Sequence, residues 1–445
     1  TGTITRRALT FDAVAAQTKT YDGNTNADAA QFSATLGNIV AGEENSVSAT
    51  AAGAAYNDKN VAGANKVSYT GVALTGTGAG NYSIADTAQG KGTITKRALT
   101  LGTVTAQTKI YDGTTAADAG KFSAALTNAI AGDSVAATAT GAAYNSKNVA
   151  AASTIGYTGV ALSGADAGNY SLAATTAQGA GTITARELTL GTVASQSKTY
   201  DGTRAADASK FSAALNNAVA GDNVTAAAAG ATYNDHNVAA ARTIDYTGVS
   251  LGGSDAGNYS LAATAAQGEG RITPKELNLA LTGGARFDKT YDGTANVAQS
   301  LTKGTNYSLT GFVTGEGTGI ELNAVTGKYA DKNAARDKAV TFGGLTLTGA
   351  GAGNYSLSAT TLTTTGDIAK RALTLEGTAG TQFTKTYDGN ATVTQNLARG
   401  TNYRLAGVVE GEGTDIVTLN ESAVQGAYAT KDAQAAGAQQ NVTFT

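Results

Sequence analysis

The sequence predicts an all-β protein made of tandem, elongated, Ig-like β-sandwich domains that are arranged end to end as a rod. Two observations lead to this fold class. A Tyr-Asp-Gly triplet recurs about every 90 residues, and short segments between glycine-containing turns alternate β-branched or aromatic residues with polar ones. Repeats of this length, with a turn signal every ~8–12 residues, are typical of two packed sheets.

The repeating unit has the length of a whole domain. The tyrosines of the triplet are Tyr21, Tyr111, Tyr200, Tyr291 and Tyr387, with spacings of 90, 89, 91 and 96 residues. Each triplet is followed by Tyr-Asn-Asp-Lys-Asn-Val-Ala or a variant and, in the first four copies, by Gly-Asn-Tyr-Ser and a segment like Ile-Thr-Lys-Arg-Ala-Leu. The main rival, a parallel β-helix, has an internal period of roughly 20 residues, which this sequence does not show.

These markers divide the chain into five repeats, whose names are kept below. Repeat 1 comprises residues 1–95, repeat 2 residues 96–184, repeat 3 residues 185–273, repeat 4 residues 274–369 and repeat 5 residues 370–445. We expect residues 1–5 to close a preceding repeat, because Gly2-Thr-Ile-Thr5 matches Gly92-Thr-Ile-Thr95. Repeat 5 lacks Gly-Asn-Tyr-Ser and is expected to be truncated. Repeats 4 and 5 share an insertion, at residues 302–319 and 398–415.

Local patterns predict strands bounded by glycines. The clearest strands are predicted at residues 66–70, 153–157 and 339–342. A glycine after such a strand, as at Gly71, Gly159 and Gly248, indicates a bend or a bulge. One segment is ambiguous, because Phe32, Leu36 and Val40 have the spacing of a helical face as well as fitting a strand.

The composition argues against several classes of protein. The net charge is −3, from 31 basic and 34 acidic residues mixed along the chain, so no basic face favours nucleic acid or an anionic membrane surface. Cysteine is absent, which excludes disulfides and thiolate metal sites. The sequence has no run of about 20 apolar residues for a membrane span. We therefore expect no nucleic-acid partner and no direct membrane insertion.

The recurring polar motifs are predicted to be structural, and no catalytic, cofactor-binding or metal-binding residue is predicted. In the triplet, the tyrosine is expected to pack its ring and bond its hydroxyl to backbone, the aspartate to accept from turn amides, and the glycine to take positive φ. The asparagine of Gly-Asn-Tyr-Ser is expected to take the left-handed conformation. The structural motif residues are Tyr21, Asp22, Gly23, Tyr111, Asp112, Gly113, Tyr200, Asp201, Gly202, Tyr291, Asp292, Gly293, Tyr387, Asp388, Gly389, Asn81, Asn169, Asn258 and Asn354.

Three chemical alternatives stay open for these motifs. Loop carboxylates at Asp58, Asp166 and Asp255 suit calcium, although one or two per loop fall short of six to eight oxygen ligands. Lys19 and its counterparts precede the motif aspartate by three residues, and an asparagine follows about 60 residues later, which are the ingredients of an intramolecular isopeptide bond. The Asn-Tyr-Ser triplets match the acceptor pattern for N-glycosylation.

Together, these motifs resemble the YDG-domain repeats of large bacterial hemagglutinin-like surface adhesins of the filamentous, two-partner-secretion type. The resemblance rests on Lys-Thr-Tyr-Asp-Gly, Tyr-Asn-Asp-Lys-Asn-Val-Ala, residues 158–172 and Ile-Thr-Lys-Arg-Ala-Leu-Thr-Leu, and it covers essentially the whole chain. It implies an extracellular, cell-surface setting and an adhesive or filament-forming whole protein, with no catalytic residue to carry over. Phe342, in place of a tyrosine, and Asp432-Ala433, in place of Asn-Val, depart from the pattern.

These expectations converge on a structural function. The leading hypothesis is a stalk or filament segment that projects an adhesive region, with the other repeats of the same longer chain as its partners. The alternative is an array that itself binds a host glycan or cell-surface receptor, or that associates with identical chains through many weak contacts. The connectors that begin at Ile94, Ile183, Ile272 and Ile368 contain no glycine, and their one proline is Pro274, so we expect stiff joints.

Overall fold

The computed structural model describes residues 1–412, 417 and 419–445. Within these residues the regular structure consists of β-strands and short 3₁₀ segments, without an α-helix, so the predicted all-β fold is confirmed. The described residues form two compact units. The first comprises Thr1–Val193, Phe211–Ala229 and Thr247–Ala266, and the second Ala194–Lys210, Gly230–Tyr246 and Gln267–Thr445. The end of the insertion in repeat 5, residues 413–415, lies outside the described residues.

The strands of repeats 1 and 2 belong to the first unit. In repeat 1 they are β1 (Arg7–Ala8), β2 (Thr10–Val14), β3 (Gln17–Thr20), β4 (Ala34–Gly37), β5 (Ser48–Thr50), β6 (Gly53–Tyr56), β7 (Lys66–Thr70), β8 (Ala73–Thr75), β9 (Tyr82–Ser83) and β10 (Thr87–Thr95). In repeat 2 they are β11 (Arg97–Val104), β12 (Gln107–Ile110), β13 (Ala124–Thr127), β14 (Ala136–Thr138), β15 (Gly141–Tyr144), β16 (Thr154–Thr158), β17 (Ala161–Ser163), β18 (Tyr170–Leu172) and β19 (Thr176–Thr184).

The remaining strands continue the same order. Repeat 3 has β20 (Arg186–Val193), β21 (Gln196–Thr199), β22 (Ala213–Asn216), β23 (Thr225–Ala227), β24 (Gly230–Tyr233), β25 (Thr243–Thr247), β26 (Ser250–Gly252), β27 (Tyr259–Leu261) and β28 (Ala265–Thr273). Repeat 4 has β29 (Lys275–Leu281), β30 (Lys289–Thr290), β31 (Tyr307–Thr310), β32 (Glu321–Leu322), β33 (Lys328–Tyr329), β34 (Ala335–Gly343), β35 (Leu347–Thr348), β36 (Tyr355–Leu357) and β37 (Thr361–Ala369). Repeat 5 has β38 (Thr374–Gly377), β39 (Tyr403–Ala406), β40 (Gly426–Tyr428) and β41 (Val442–Phe444).

Short 3₁₀ segments occur at equivalent places in the repeats. After the Tyr-Asp-Gly triplet they are Ala29–Gln31, Ala119–Lys121 and Ala208–Lys210, and at Gly-Asn-Tyr-Ser they are Ala79–Asn81, Ala167–Asn169, Ala256–Asn258 and Ala352–Asn354. A further segment, Glu421–Ala423, lies in repeat 5 at a place of its own.

Repeat 2 shows the sheet topology that recurs along the chain. A four-stranded sheet has the order β12-β19-β16-β15, a three-stranded sheet has the order β13-β11-β18, and β14 pairs with β17. Within these sheets, β12 and β19 are parallel, β11 and β18 are parallel, and β16 is antiparallel to β19. Strands from the start and from the end of the repeat are therefore neighbours in both sheets.

The core of the four-stranded sheet is formed by alternate residues. In β16, Ile155 and Tyr157 are 0% and 1% exposed, whereas their neighbours Gly156 and Thr158 face solvent. Gly181 lets β19 approach this core closely, because a Cβ at that position would lie 2.5 Å from Cγ1 of Ile155. The alternation of apolar and polar residues that the sequence predicts here is therefore confirmed, since it buries Ile155 and Tyr157.

The ambiguous segment around Phe32 combines a 3₁₀ turn with a strand. Asp28 caps the turn Ala29–Gln31 by accepting a hydrogen bond from the Ala30 amide at 3.0 Å, and β4 follows. Leu36 lies on β4, where it pairs with Phe11 of β2. The helical spacing of the apolar residues therefore arises from a turn followed by a strand.

At the ends of repeats 1, 2 and 3, consecutive strands are separated by one residue, whereas four residues separate β37 from β38. Lys96 separates β10 from β11, Ala185 separates β19 from β20, and Pro274 separates β28 from β29. On the two sides of Lys96, Ile94 and Leu99 are 1% and 2% exposed. Each end of this connector is therefore held by a packed core, which restricts its freedom to bend.

Candidate functional site

The recurring motifs meet where one repeat contacts the next. We call each such contact a joint, formed between the Tyr-Asp-Gly turn of one repeat and the repeat that follows it. Joints 1–2 and 2–3 lie in the first unit, and joints 3–4 and 4–5 lie in the second.

Two tyrosines and one carboxylate form the centre of joint 2–3. The Tyr111 hydroxyl of repeat 2 donates to Oδ2 of Asp222 in repeat 3 at 2.8 Å. The Tyr259 hydroxyl donates to the same oxygen at 2.6 Å and accepts from the Val219 amide at 3.0 Å. The two rings meet edge to face with centroids 5.3 Å apart, and Tyr111 is fully buried. The joint thus combines apolar burial with charge-assisted hydrogen bonds.

The same arrangement recurs with aspartate or glutamate as the acceptor. Two tyrosines from adjacent repeats donate to one carboxylate: Tyr21 and Tyr170 to Asp133 at 2.9 and 2.5 Å in joint 1–2, and Tyr200 and Tyr355 to Glu316 at 2.8 and 2.6 Å in joint 3–4. Joint 4–5 is a variant, because the Tyr291 hydroxyl donates to Glu412 and the ammonium of Lys332 pairs with that carboxylate.

Burial and hydrogen bonding fix the protonation states within the joints. The hydrogen bond from Tyr259, supported by the one from Tyr111, holds the pKa of Asp222 below its ordinary value. Burial, supported by the hydrogen bond to Glu316, raises the pKa of Tyr200 to about 12 and the pKa of Tyr355 to about 12. Near neutral pH, Asp222 is therefore charged and these tyrosines are neutral, as the hydrogen bonds require.

An asparagine makes a second contact across the joint. Asn169 of repeat 2 is 5% exposed; its Oδ1 accepts from the Val61 amide at 2.9 Å, and its Nδ2 donates to Oδ1 of Asn60 at 2.9 Å. Equivalent contacts join Asn258 to Asn148 and Val149, and Asn354 to Asn237 and Val238. The Asn169 contacts are separate from the Tyr21–Asp133 bond, so two different points hold repeat 1 against repeat 2.

The glycine of the triplet leaves room for an apolar side chain of the next repeat. Gly113 has a φ of +79°, and a Cβ there would lie 2.9 Å from Cγ1 of Val219. The corresponding distances are 3.2 Å from Gly23 to Ile130, 3.0 Å from Gly202 to Val313 and 2.8 Å from Gly293 to Val409. The positive φ and the packing across the joint therefore both favour glycine.

The aspartate of the triplet forms its ion pair within its own repeat. The ammonium of Lys109 donates to Oδ1 of Asp112 at 2.7 Å and to the Thr114 and Ala116 carbonyls at 2.9 Å, and it lies 5.3 Å from the centre of the Tyr144 ring. Burial alone would raise the pKa of Asp112, but Lys109 and the Thr114 amide and hydroxyl lower it. The equivalent ion pairs are Lys19–Asp22, Lys198–Asp201, Lys289–Asp292 and Lys385–Asp388.

An arginine side chain donates a hydrogen bond to the backbone carbonyl of the joint tyrosine. In joint 2–3, Arg186 donates to the carbonyl and side-chain oxygens of Asn217 at 2.7 and 2.6 Å, and to the Tyr111 carbonyl at 3.4 Å. Asn217 has a φ of +73°, which turns both of its acceptors toward the guanidinium. Arg97 and Asn128 make the same contacts in joint 1–2.

Two expectations for the motif residues are wrong. The hydroxyls of Tyr21, Tyr111, Tyr200 and Tyr291 donate to a carboxylate of the next repeat rather than to backbone, because a charged acceptor is in reach across the joint. The asparagine of Gly-Asn-Tyr-Ser lies in a 3₁₀ segment, and left-handed asparagines occur instead at Asn38, Asn128 and Asn217. Tyr387 is 59% exposed and Gly389 has a φ of +83°.

The chemical alternatives meet different outcomes. The glycosylation hypothesis is wrong for Asn169, Asn258 and Asn354, because they are 5% exposed with their amides engaged, whereas Asn81 is exposed. Lys109 and Asn169 bond to different residues, so the structure does not bring together the pair needed for an isopeptide bond.

Over residues 1–412, 417 and 419–445, no group of three or more His, Cys, Asp or Glu is placed to hold a metal ion. No helix in that part of the chain is long and apolar enough to span a membrane.

The sequence reasoning missed the acidic residues of the joints. Each follows a glycine, as Gly42-Glu43, Gly132-Asp133, Gly221-Asp222, Gly315-Glu316 and Gly411-Glu412. This glycine–acid pair recurs once per repeat, and its position about 20 residues after the Tyr-Asp-Gly turn is the signal that identifies it. In repeat 1, Glu43 already accepts from the Tyr82 hydroxyl.

A family comparison accounts for the recurring joint. The YDG domain model matches residues 5–89, 95–177, 184–266 and 273–363. The chain belongs to the YDG domain family. Four YDG domains therefore follow one another in tandem, and the Tyr-Asp-Gly triplet of each supplies the tyrosine and the glycine of its joint.

Other comparisons add little. A comparison with curated proteins gave no match. Among solved structures, the tandem YDG domains are similar to a protocadherin GammaB4 extracellular domain (9% identity, 81% of this chain and 67% of that one, TM-score 0.28) and to EC1–4 of Drosophila N-cadherin (10% identity, 82% and 100%, TM-score 0.21). They are also similar to an E-to-A variant of titin domains I67–I69 (9% identity, 62% and 99%, TM-score 0.25). These TM-scores are too low to support an argument.

Proposed function

We propose that this chain is a structural segment of an extracellular bacterial surface adhesin. In this function, serial YDG domains act as a stalk that holds an adhesive region away from the cell, or as the shaft of a filament. The proposal agrees with the adhesins that the repeats resemble, and it places the chain outside the bacterial cell.

The observation that carries the proposal is the carboxylate shared by two tyrosines from adjacent repeats. It occurs in joints 1–2, 2–3 and 3–4, each with the asparagine contact beside it. Both hydroxyls donate to a single oxygen of Asp133 and of Asp222, and to the two different oxygens of Glu316. A flexible tether needs no such contacts, because a Gly/Ser-rich coil joins domains without fixing their orientation. Specific contacts between repeats are expected where the array has to hold its domains in a fixed orientation or transmit force along the chain.

We also propose that the chain is not an enzyme and needs no organic cofactor. The polar residues of the recurring motifs already bond to one another: Tyr111 to Asp222, Asp112 to Lys109, and Asn169 to Asn60. Their side chains are committed to turns and joints, which supports a structural use. The partners proposed are the other repeats of the longer chain.

Small-angle X-ray scattering of the purified chain tests the stalk. Five repeats of about 35–45 Å each, placed end to end, predict a maximum dimension of about 200 Å. The variant with Asp133→Ala, Asp222→Ala and Glu316→Ala is expected to show a shorter mean dimension, because its joints bend. The control with Asp86→Ala, Glu269→Ala and Glu321→Ala removes three exposed acidic residues and is expected to match the unmodified chain. A compact particle for the unmodified chain would contradict the proposal.

Binding assays separate this function from its alternative. If the array itself is the adhesive module, purified chain will bind host cells or glycans, or will self-associate at micromolar concentration. The stalk proposal expects neither result for this segment alone.

A further inference from the structure

The first two strands of repeat 2 run parallel to its last two strands and are hydrogen-bonded to them. β11 pairs with β18 in parallel over Arg97–Leu99 and Tyr170–Leu172. Further along, β12 pairs with β19 in parallel over Gln107–Ile110 and Gly181–Thr184. The start of the repeat is thus bonded along two stretches to its end.

This topology determines how tension along the chain loads the repeat. The chain enters at Lys96, before β11, and leaves at Ala185, after β19. Because the paired strands are parallel, the entry point and the exit point are at opposite ends of the paired region. Tension between them therefore slides one strand along the other, so that all the hydrogen bonds of each stretch are loaded together. Tension across the pair would instead break these bonds one at a time.

The exit end of this pair is reinforced. The Tyr111 amide donates to the Thr184 carbonyl at 2.9 Å, and the Thr184 hydroxyl donates to the Lys109 carbonyl at 3.3 Å. Below these bonds, Ile183 is 1% exposed in the same core as Tyr111. Separating the strands therefore also exposes buried apolar surface.

The arrangement recurs in repeats that lie within a single unit. In repeat 1, β1 is parallel to β9 and β3 is parallel to β10; in repeat 4, β29 is parallel to β36 and β30 is parallel to β37. The closing bond is also repeated, since the Tyr21 amide donates to the Thr95 carbonyl and the Tyr291 amide donates to the Ala369 carbonyl, each at 2.9 Å.

We infer that these parallel strand pairs are load-bearing clamps, which make the repeats that contain them resist tension along the chain. The inference rests on the proposed stalk, because a stalk that holds an adhesive region carries tension between its ends. The inference adds that the rupture force depends on the direction of pulling. The rupture force is high for tension along the chain and low for tension across the β12–β19 pair.

Single-molecule force spectroscopy on the full chain tests this dependence. Since the chain contains no cysteine, pairs of engineered cysteines define where force is applied. Lys96→Cys with Ala185→Cys loads repeat 2 along the chain. Ala106→Cys with Ala180→Cys loads the same repeat across the start of the β12–β19 pair. All four positions are exposed, and both variants contain the same native repeat.

The expected result is a several-fold higher rupture force for the first pair at equal loading rate. Rupture is identified by the length released, about 250–285 Å for the first pair and about 240–260 Å for the second, from ~3.3–3.6 Å per extended residue less the separation of the two positions in the folded repeat. Equal rupture forces for the two pairs would overturn the inference. If a variant unfolds at a lower temperature than the parent chain, Thr108→Cys with Thr182→Cys replaces the crosswise pair.

The two proposals fail separately. A compact particle in small-angle scattering together with a direction-dependent rupture force would reject the stalk and leave the clamp standing. An extended particle whose repeats rupture at equal force in both directions would reject the clamp alone.

Discussion

The hydroxyls of Tyr111 and Tyr259 donate to the same oxygen of Asp222, at 2.8 and 2.6 Å, although the two tyrosines belong to different repeats. The Tyr259–Asp222 bond lies within repeat 3, so the acceptor is already oriented before repeat 2 contributes its tyrosine. Such preorganisation lowers the entropy lost when the joint forms. The joint is therefore expected to respond to single-atom changes.

The first such change removes the hydroxyl of Tyr111. We expect Tyr111→Phe to lower the free energy of unfolding by about 1.5–3 kcal/mol, the range for a hydrogen bond to a charged group. Tyr387→Phe is the matched control, because this tyrosine of the same triplet is 59% exposed, and its effect is expected to stay within about 0.5 kcal/mol. Urea denaturation followed by circular dichroism measures both. Equal losses would show that the hydroxyl does not stabilise the joint.

A pair of glycines separates backbone strain from packing across the joint. Gly113 and Gly132 both have positive φ, but a Cβ at Gly113 would press on Val219 at 2.9 Å, whereas one at Gly132 would have no atom within 4 Å. Gly132→Ala is expected to cost about 1–2 kcal/mol from the left-handed conformation. Gly113→Ala is expected to cost an additional 1–3 kcal/mol or so from overpacking. Thermal denaturation of the two variants measures the difference, and identical melting curves would contradict packing at the joint.

Acid is expected to weaken joint 2–3 through Asp222. Its pKa is lowered in the folded chain, so its contribution to stability is present above the unfolded pKa of about 3.9 and is lost as the pH falls through the folded value. The stability deficit of Asp222→Asn relative to the parent chain should therefore be constant above pH ~5 and shrink below pH ~4. Urea midpoints at a series of pH values test this. A deficit that does not change with pH would contradict the proposed charge state.

Alkali is expected to weaken joint 3–4 through its tyrosines. The pKa values of Tyr200 and Tyr355 are raised to about 12 in the folded chain, against about 10 when unfolded. Their contribution is therefore complete below pH ~10 and is lost as the pH rises towards 12. The variant Tyr200→Phe with Tyr355→Phe is expected to lose less stability over this range than the parent chain. The same loss of stability in both proteins would contradict the role of Tyr200 and Tyr355 in the alkaline transition.

Much of the fold follows from local sequence signals, whereas the joints do not. Alternation at residues 153–157 identifies β16, because the burial of a strand is visible in consecutive residues. The 89–96 residue spacing identifies the repeat, because the same motifs recur in order. The partner of Tyr111 lies 111 residues away, so no local pattern shows that its hydroxyl meets a carboxylate. The expectation for Asn169 fails for the same reason: its neighbours favour a turn, but its amide bonds to Asn60 in the preceding repeat.

The central claim is that the joint fixes one repeat against the next, and a distance measured across joint 1–2 tests it most directly. Spin labels on Lys66→Cys in β7 and Ala136→Cys in β14 use exposed positions on either side of the joint, in a chain with no other cysteine. Pulsed electron paramagnetic resonance is expected to give one narrow distance distribution for this protein. The distribution is expected to broaden when Asp133→Ala and Asn169→Ala are added. A broad distribution before those changes would contradict the account.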